Sequence, residues 1–165
     1  MSHYRTTSIE PGEGQLYSGN RYFAIYSALA NDTAAIEVRI QTPNTATRAH
    51  MIFDIECALA ATVELWAATT KTHVADNAIT PLNRDFNSPN VSAVTICHTP
   101  AGSQSGAANL IEYIGAAATG GRVAAGGEAA SVSYFILKQN TAYLVKATSR
   151  AESNALAIIM DWYEA

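Results

Sequence analysis

The sequence predicts an all-β protein: an antiparallel β-sandwich, jelly-roll-like, over residues 21–165, preceded by an extended N-terminal arm over residues 1–20. Three observations carry this. Apolar and polar residues alternate with period two in run after run, turn-forming residues separate the runs, and no stretch shows a capped 3.6-residue period.

The arm, MSHYRTTSIEPGEGQLYSGN, holds Pro11, Gly12 and Gly14 and lacks sustained alternation, so it builds no core by itself. Tyr4, Arg5, Ile9 and Tyr17 are its candidate contacts with a neighbouring subunit; a frayed terminus is the other reading. RYFAIYSAL opens the sandwich. IEVRIQT shows the alternation most clearly, with Ile36, Val38 and Ile40 on one face and Glu37, Arg39 and Gln41 on the other. The alanines of DTAAIEVRI would suit a short helix, but strict alternation decides for a strand. AHMIFDIEC turns Met51, Phe53, Ile55 and Cys57 inward and His50, Asp54 and Glu56 outward. TVELWAA, NVSAVTICH, NLIEYIG, SVSYFILK, AYLVKATSR and ALAIIMDWYE complete nine candidate strands, a sandwich count.

Turns fall at AND, TPNT, TPAGSQSG, KQNT and RAESN, each offering residues that reverse a chain. GAAATGGRVAAGGEAAS, 115–131, has permissive glycines and little to pack, and reads as a long loop. Strands joined by turns without intervening helices argue for an antiparallel sandwich or barrel.

At 165 residues the chain fits one domain. Hydrophobic residues at 48% against 15% charged suggest that a partner covers some surface, and an oligomer is expected. A net charge of −4 offers no basic field for phosphates, so nucleic acid is not an expected partner. The apolar runs are too short and broken for a membrane span, and the N-terminus lacks the pattern of a secretory signal, so folding in a cytoplasm is expected. Cys57 and Cys97 have no CxxC spacing and read as buried free thiols, with a disulfide or a metal pair as the alternative.

Motifs that imitate reactive sites each fail at the working residue. GSQSG carries Gln104 where a nucleophile elbow needs its serine. GRVAAGGE puts Gly127 and Glu128 where a phosphate loop needs Lys and Ser or Thr, and GEG at 12–14 meets Tyr17 instead of a third glycine. His3, His50, His73 and His98 form no ligand pair; His50 shares a face with Asp54 and Glu56, which reads as a solvated polar face more readily than as a cation site. Nothing selects a carboxylate pair for glycoside hydrolysis. No catalytic residue, cofactor or metal is expected. Tyr143 and Trp162 are in phase with core residues, whereas Trp66 lies opposite Val63 and Leu65 and is a candidate subunit contact unless its strand is buried on both faces.

PLNRDFNSPN, residues 81–90, is the most polar and turn-prone run. Asn83, Asp85 and Asn87 suit bonds to their own backbone and Ser88-Pro89 favours an extended exit, which makes a self-satisfied corner. Arg84 and Asp85 point to opposite sides and remain available to other partners. A subunit contact through Arg84, Asp85 and Asn87 is the alternative.

NRDFNS running into VSAVTICHTP, together with FILKQNTAYLVKATSRAESNALAIIMDWYE, resembles small virion proteins of tailed bacteriophages, over residue 20 to the end. The resemblance implies a jelly-roll sandwich and a role in capsid decoration, or cementing. Homotrimers would sit on the major capsid protein at capsomer junctions of the virion surface, after synthesis in the host bacterial cytoplasm, without a catalytic centre. The chain departs from that pattern in AATTKTHVADNAIT, which lacks a Gly-rich hairpin after VELW, and in Phe86, where a polar residue is usual. Two other classes stay open: a tail or fibre module reading a host surface glycan through a loop with His73, Asp76 and Asn77, and an enzyme with His50 or His98 beside two carboxylates.

Overall fold

A computed structural model describes residues 14–16, 18–114, 123–125 and 135–165. Its long strands are β1 (Arg21–Ala30), β2 (Ala35–Gln41), β3 (Ala49–Cys57) and β4 (Ala61–Ala67). Short β5 (Ala78–Ile79), β6 (Leu82–Asn83) and β7 (Thr95–His98) follow, then β8 (Leu110–Ile114), β9 (Val123–Ala125) and β10 (Phe135–Ile136). β11 (Ala142–Ser149) and β12 (Asn154–Glu164) complete the order. One sheet runs β10-β3-β12-β1-β6, with β9 also on β3; the other runs β5-β7-β2-β11-β4-β8. The pairings of both sheets are antiparallel. The predicted all-β sandwich is therefore the observed architecture. Among the described residues no helix is long and apolar enough to cross a membrane.

Alternation explains the burial. Ile36, Val38 and Ile40 of β2 are buried, as are Met51, Ile55 and Cys57 of β3, while Phe53 packs part-buried against the same cluster. The longest strand, β12, lies between β3 and β1 and turns Leu156, Ile158, Met160 and Trp162 inward, all essentially inaccessible. Each such aliphatic side chain contributes about 1.5–3 kcal/mol by leaving water. Buried Asn154 begins β12 and holds the β3–β4 turn: its Oδ1 accepts from the Leu59 N–H at 2.8 Å and its Nδ2 donates to the Ala60 carbonyl at 2.9 Å.

Four expectations need correction. The run NVSAVTICH forms strand only over Thr95–His98. Before it, the Ser92 hydroxyl and the Ala93 N–H donate to the Glu164 carboxylate, so a side chain satisfies groups a ladder would otherwise take. The run 115–131 is not all loop, because Val123–Ala125 pairs with Ile55–Cys57; residues 115–122 and 126–134 lie outside the described residues. In the expected extended arm, residues 14–16 are helical, with bonds from Ser18 N to Gly14 O and Asn20 N to Gln15 O. Tyr4, Arg5, Ile9 and Tyr17 lie outside the described residues.

The fourth correction concerns Trp66. Register places Trp66, Leu144, Arg39 and Cys97 in one row across the outer face of the second sheet. Trp66 is nevertheless only 7% exposed, and Leu144 and Cys97 are buried. Residues 68–77 and 99–106 cover that row. Arg39 Nε donates to the Lys71 carbonyl at 2.9 Å, Lys71 pairs with Glu37, Thr70 Oγ1 donates to Ser103 O at 2.8 Å, and Thr72 bridges Ala101. Lys146 Nζ stands 5.9 Å from the Trp66 ring centroid. Trp66 thus packs within its own chain and is not a surface anchor.

Candidate functional site

The corner at 81–90 is built from its own amides. Asn83 Oδ1 accepts from the Asp85 N–H at 2.9 Å, Asp85 Oδ1 accepts from the Asn87 N–H at 3.0 Å, and the Ser88 N–H donates to Asp85 O at 3.0 Å. These are the Asx turns that the residue types suggest. Asn83 Nδ2 also donates to Gly19 O at 2.8 Å and to Asn90 O at 3.1 Å, which ties the corner to the turn at Gly19. Gly19 has φ of +71°, and a Cβ there would overlap Ser88, so only glycine allows this approach. The braced corner displays Phe86 at 83% exposure.

Arg84 and Asp85 do not pair, in line with their opposed directions. Arg84 reaches across to Asp161 on β12, which also accepts from Arg21, Nε to Oδ1 at 3.0 Å and Nη2 to Oδ2 at 3.3 Å. The Arg84 guanidinium lies 5.1 Å from the Phe23 ring centroid. Arg21 and Arg84 thus share the Asp161 carboxylate on the outer face of the first sheet.

That face runs in rows: Phe23, Asp161 and Ile52; then Ile25, Ile159 and Asp54; then Ser27, Ala157 and Glu56. Ile25 is 50% exposed and Leu29, further along β1, is 77% exposed. The small side chains of Ser27, Ala155 and Ala157, with Glu56 beside them, leave a depression of about 220 Å³. Partial burial and the neighbouring Glu56 push the Asp54 carboxyl above its ordinary range. The face therefore carries Ile25 and Ile159 between a corner where Arg21 and Arg84 meet Asp161 and a corner with Asp54 and Glu56.

The histidines do not converge. His50 stacks on Tyr163, centroids 4.6 Å apart, and shares a 3.1 Å bond with its hydroxyl; burial, then Arg48, pushes the imidazole below its ordinary pKa. His98 stacks on Tyr26 at 4.5 Å, His73 lies in an exposed loop, and His3 is outside the described residues. Among the described residues no three His, Cys, Asp or Glu side chains gather as metal ligands. His50, Asp54 and Glu56 are spread along β3 instead. Cys57 and Cys97 are free and buried, as expected, and burial raises the Cys57 thiol pKa. In the loop considered for glycan, Asn77 donates to Thr99 O at 3.3 Å within a 3-10 turn, Ala75–Asn77.

Of the described residues singled out from sequence as subunit contacts, Arg84 reaches the exposed outer face, where Asp54 and Glu56 also lie; Asp85 and the Asn87 N–H serve the corner. The partner Asp161 was missed, and so was the face itself. Ile25 and Ile159 alternate with core residues and signal only an outward direction. No protein-family model, no curated protein and no solved structure matches this chain.

Proposed function

We propose that this chain is a structural protein, a bacteriophage capsid decoration protein that binds the assembled head shell as an oligomer and stabilises it. The observation that carries the reading is the outer face of the first sheet, an apolar middle between charged corners with a braced corner loop alongside it. Such a surface suits contact with protein more than chemistry. Consecutive strands that alternate between sheets from β1 to β4 support the jelly-roll kinship. The resemblance of the corner and of the C-terminal segment to small phage virion proteins supports the location, on the capsid surface with the major capsid protein as partner.

The mechanism is mass action. A protein that binds the closed shell and not its separated subunits stabilises the shell by about 2.7 kcal/mol per site when its free concentration is a hundredfold above Kd. No covalent step is involved. The test mixes purified protein with undecorated shells and follows sedimentation and the disruption temperature. Co-sedimentation in many copies with a raised disruption temperature is expected. Shells that neither bind it nor gain stability overturn the proposal, and so does a location at the tail in a few copies, which would favour a glycan-reading tail module.

A further inference from the structure

We propose that the two connections crossing the outer face of the second sheet form a ribbon that lifts off that sheet while the sandwich stays folded, uncovering Trp66, Leu144 and Cys97. The inference stands apart from the proposed function: it concerns a motion within one chain, whatever that chain binds.

Register fixes the path of both connections. Residues 68–77 lead from β4 to β5 and residues 99–109 from β7 to β8, each across four strand spacings of the order β5-β7-β2-β11-β4-β8. His98 and Leu110 fall in one row of the sheet, and Ala67 and Ala78 in adjacent rows, so each connection runs across the strands and not along them. Four spacings amount to about 19 Å. Ten extended residues reach about 33–36 Å, so either connection has enough chain to arch away without pulling a strand from its ladder. Ala68 and Thr99, the first residue of each, have φ of +60° and +45°, in the left-handed region that alanine and threonine enter at a cost. Both connections therefore turn back onto the sheet through a strained residue.

The two connections are bonded to each other as one ribbon. Thr72 and Ala101 exchange two backbone bonds, at 2.9 and 3.0 Å, Thr70 Oγ1 donates to Ser103 O at 2.8 Å and accepts from the Ser105 N–H at 3.1 Å, and Thr69 meets Gln104. Down to the sheet run the Thr69 N–H to Ala142 O at 2.9 Å, Arg39 Nε to Lys71 O at 2.9 Å and the Lys71–Glu37 ion pair. Within residues 68–77 and 99–109 only Pro100 is buried, so the ribbon gains little by leaving water, and polar bonds seal the apolar strip beneath. Closing also strands Trp66 Nε1, buried without a partner among the described residues. Exposure of Trp66 and Leu144 keeps the open form a minority. Sparse burial, strained exits and the orphaned indole make that opening far cheaper than loss of the whole fold.

Alkylation of the folded full chain by iodoacetamide tests this, read at Cys97 by peptide mass, with the buried thiol serving as reporter. Below the unfolding transition the Cys97 rate should be nearly flat in urea, and in water at least about tenfold above what global unfolding supplies. Asn154→Ala weakens the sandwich away from the ribbon and should leave Cys97 alkylation in water unchanged. Lys71→Met removes a tie between ribbon and sheet and should raise it about three- to tenfold. Thr70→Val removes bonds within the ribbon alone and should leave it within about twofold. A rate that climbs with urea at the full unfolding slope overturns the proposal. So does a rate that rises in Asn154→Ala by the same factor as its unfolding constant, or a Thr70→Val effect equal to that of Lys71→Met. Circular dichroism checks folding, and if a variant fails to fold, the urea dependence of the parent still decides.

Discussion

Replacing Asn154 by alanine tests how much of the sandwich hangs on one buried amide. The side chain accepts from Leu59 N–H and donates to Ala60 O, so the first turn of β12 and the β3–β4 connection share it. Ala60 O keeps a second donor, the Arg150 N–H at 3.0 Å, whereas among the described residues the Leu59 N–H has only the Asn154 side chain. Two net hydrogen bonds at about 1 kcal/mol each, plus part of the 1–3 kcal/mol cost of an orphaned donor, give about 2–4 kcal/mol. Urea unfolding followed by fluorescence reads this directly. With a slope of about 2 kcal/mol/M, the midpoint should fall by 1–2 M at unchanged slope. Asn154→Asp adds a sign. Its carboxylate would face the Ala60 carbonyl while buried, so the folded state favours the protonated acid, and stability should recover as pH falls through that raised pKa. A loss below about 0.5 kcal/mol for the alanine variant would refute the reasoning, because water would then be replacing both bonds.

Two further outcomes follow from the same structure. Trp66 Nε1 has no hydrogen-bond partner among the described residues, whereas Trp162 Nε1 donates to Glu164 Oε1 at 3.2 Å. Trp162→Phe should therefore destabilise more than Trp66→Phe by about 1–2 kcal/mol in urea titrations; equal losses would contradict it. Neutral His50 is favoured in the fold, its pKa lying below the ordinary 6.5 through burial and Arg48. Its contribution is full above pH 6.5 and is lost as pH falls through the lowered folded-state value. Melting temperature should drop over that window in the parent and less in His50→Gln, and parallel pH profiles would count against the assignment.

Much of the fold was legible because burial in a sandwich follows a period of two. Ile36, Val38 and Ile40 alternate without a break, and all three are in the core. The same rule assigned Trp66 correctly to the outer row and failed on its exposure, because the pattern within a strand carries no information about a loop that returns over it. Arg39 reaching the Lys71 carbonyl is a contact across unrelated segments, invisible to local pattern. The corner at 81–90 was readable because Asn and Asp bond amides two residues on. The destination of Arg84 was not: Asp161 is distant in sequence, and only the β1–β12 and β1–β6 ladders bring the two together. Strand NVSAVTICH was overestimated for a related reason, since Glu164 competes for its backbone from the far end of the chain.

The place of β12 has a consequence for biosynthesis. It follows the other described strands in sequence and lies between β3 and β1 in its sheet, zipped to β1 from Arg21–Tyr163 to Ala30–Asn154 and to β3 on its other side. A ribosome making this protein therefore holds β1 and β3 with only the short β6, β9 and β10 to pair with until residues 154–164 emerge, and the long ladders of that sheet form only after them. Nascent chains stalled before residue 154 should be prime clients for chaperones, whereas the β2–β11–β4 ladder has all its members a few residues sooner.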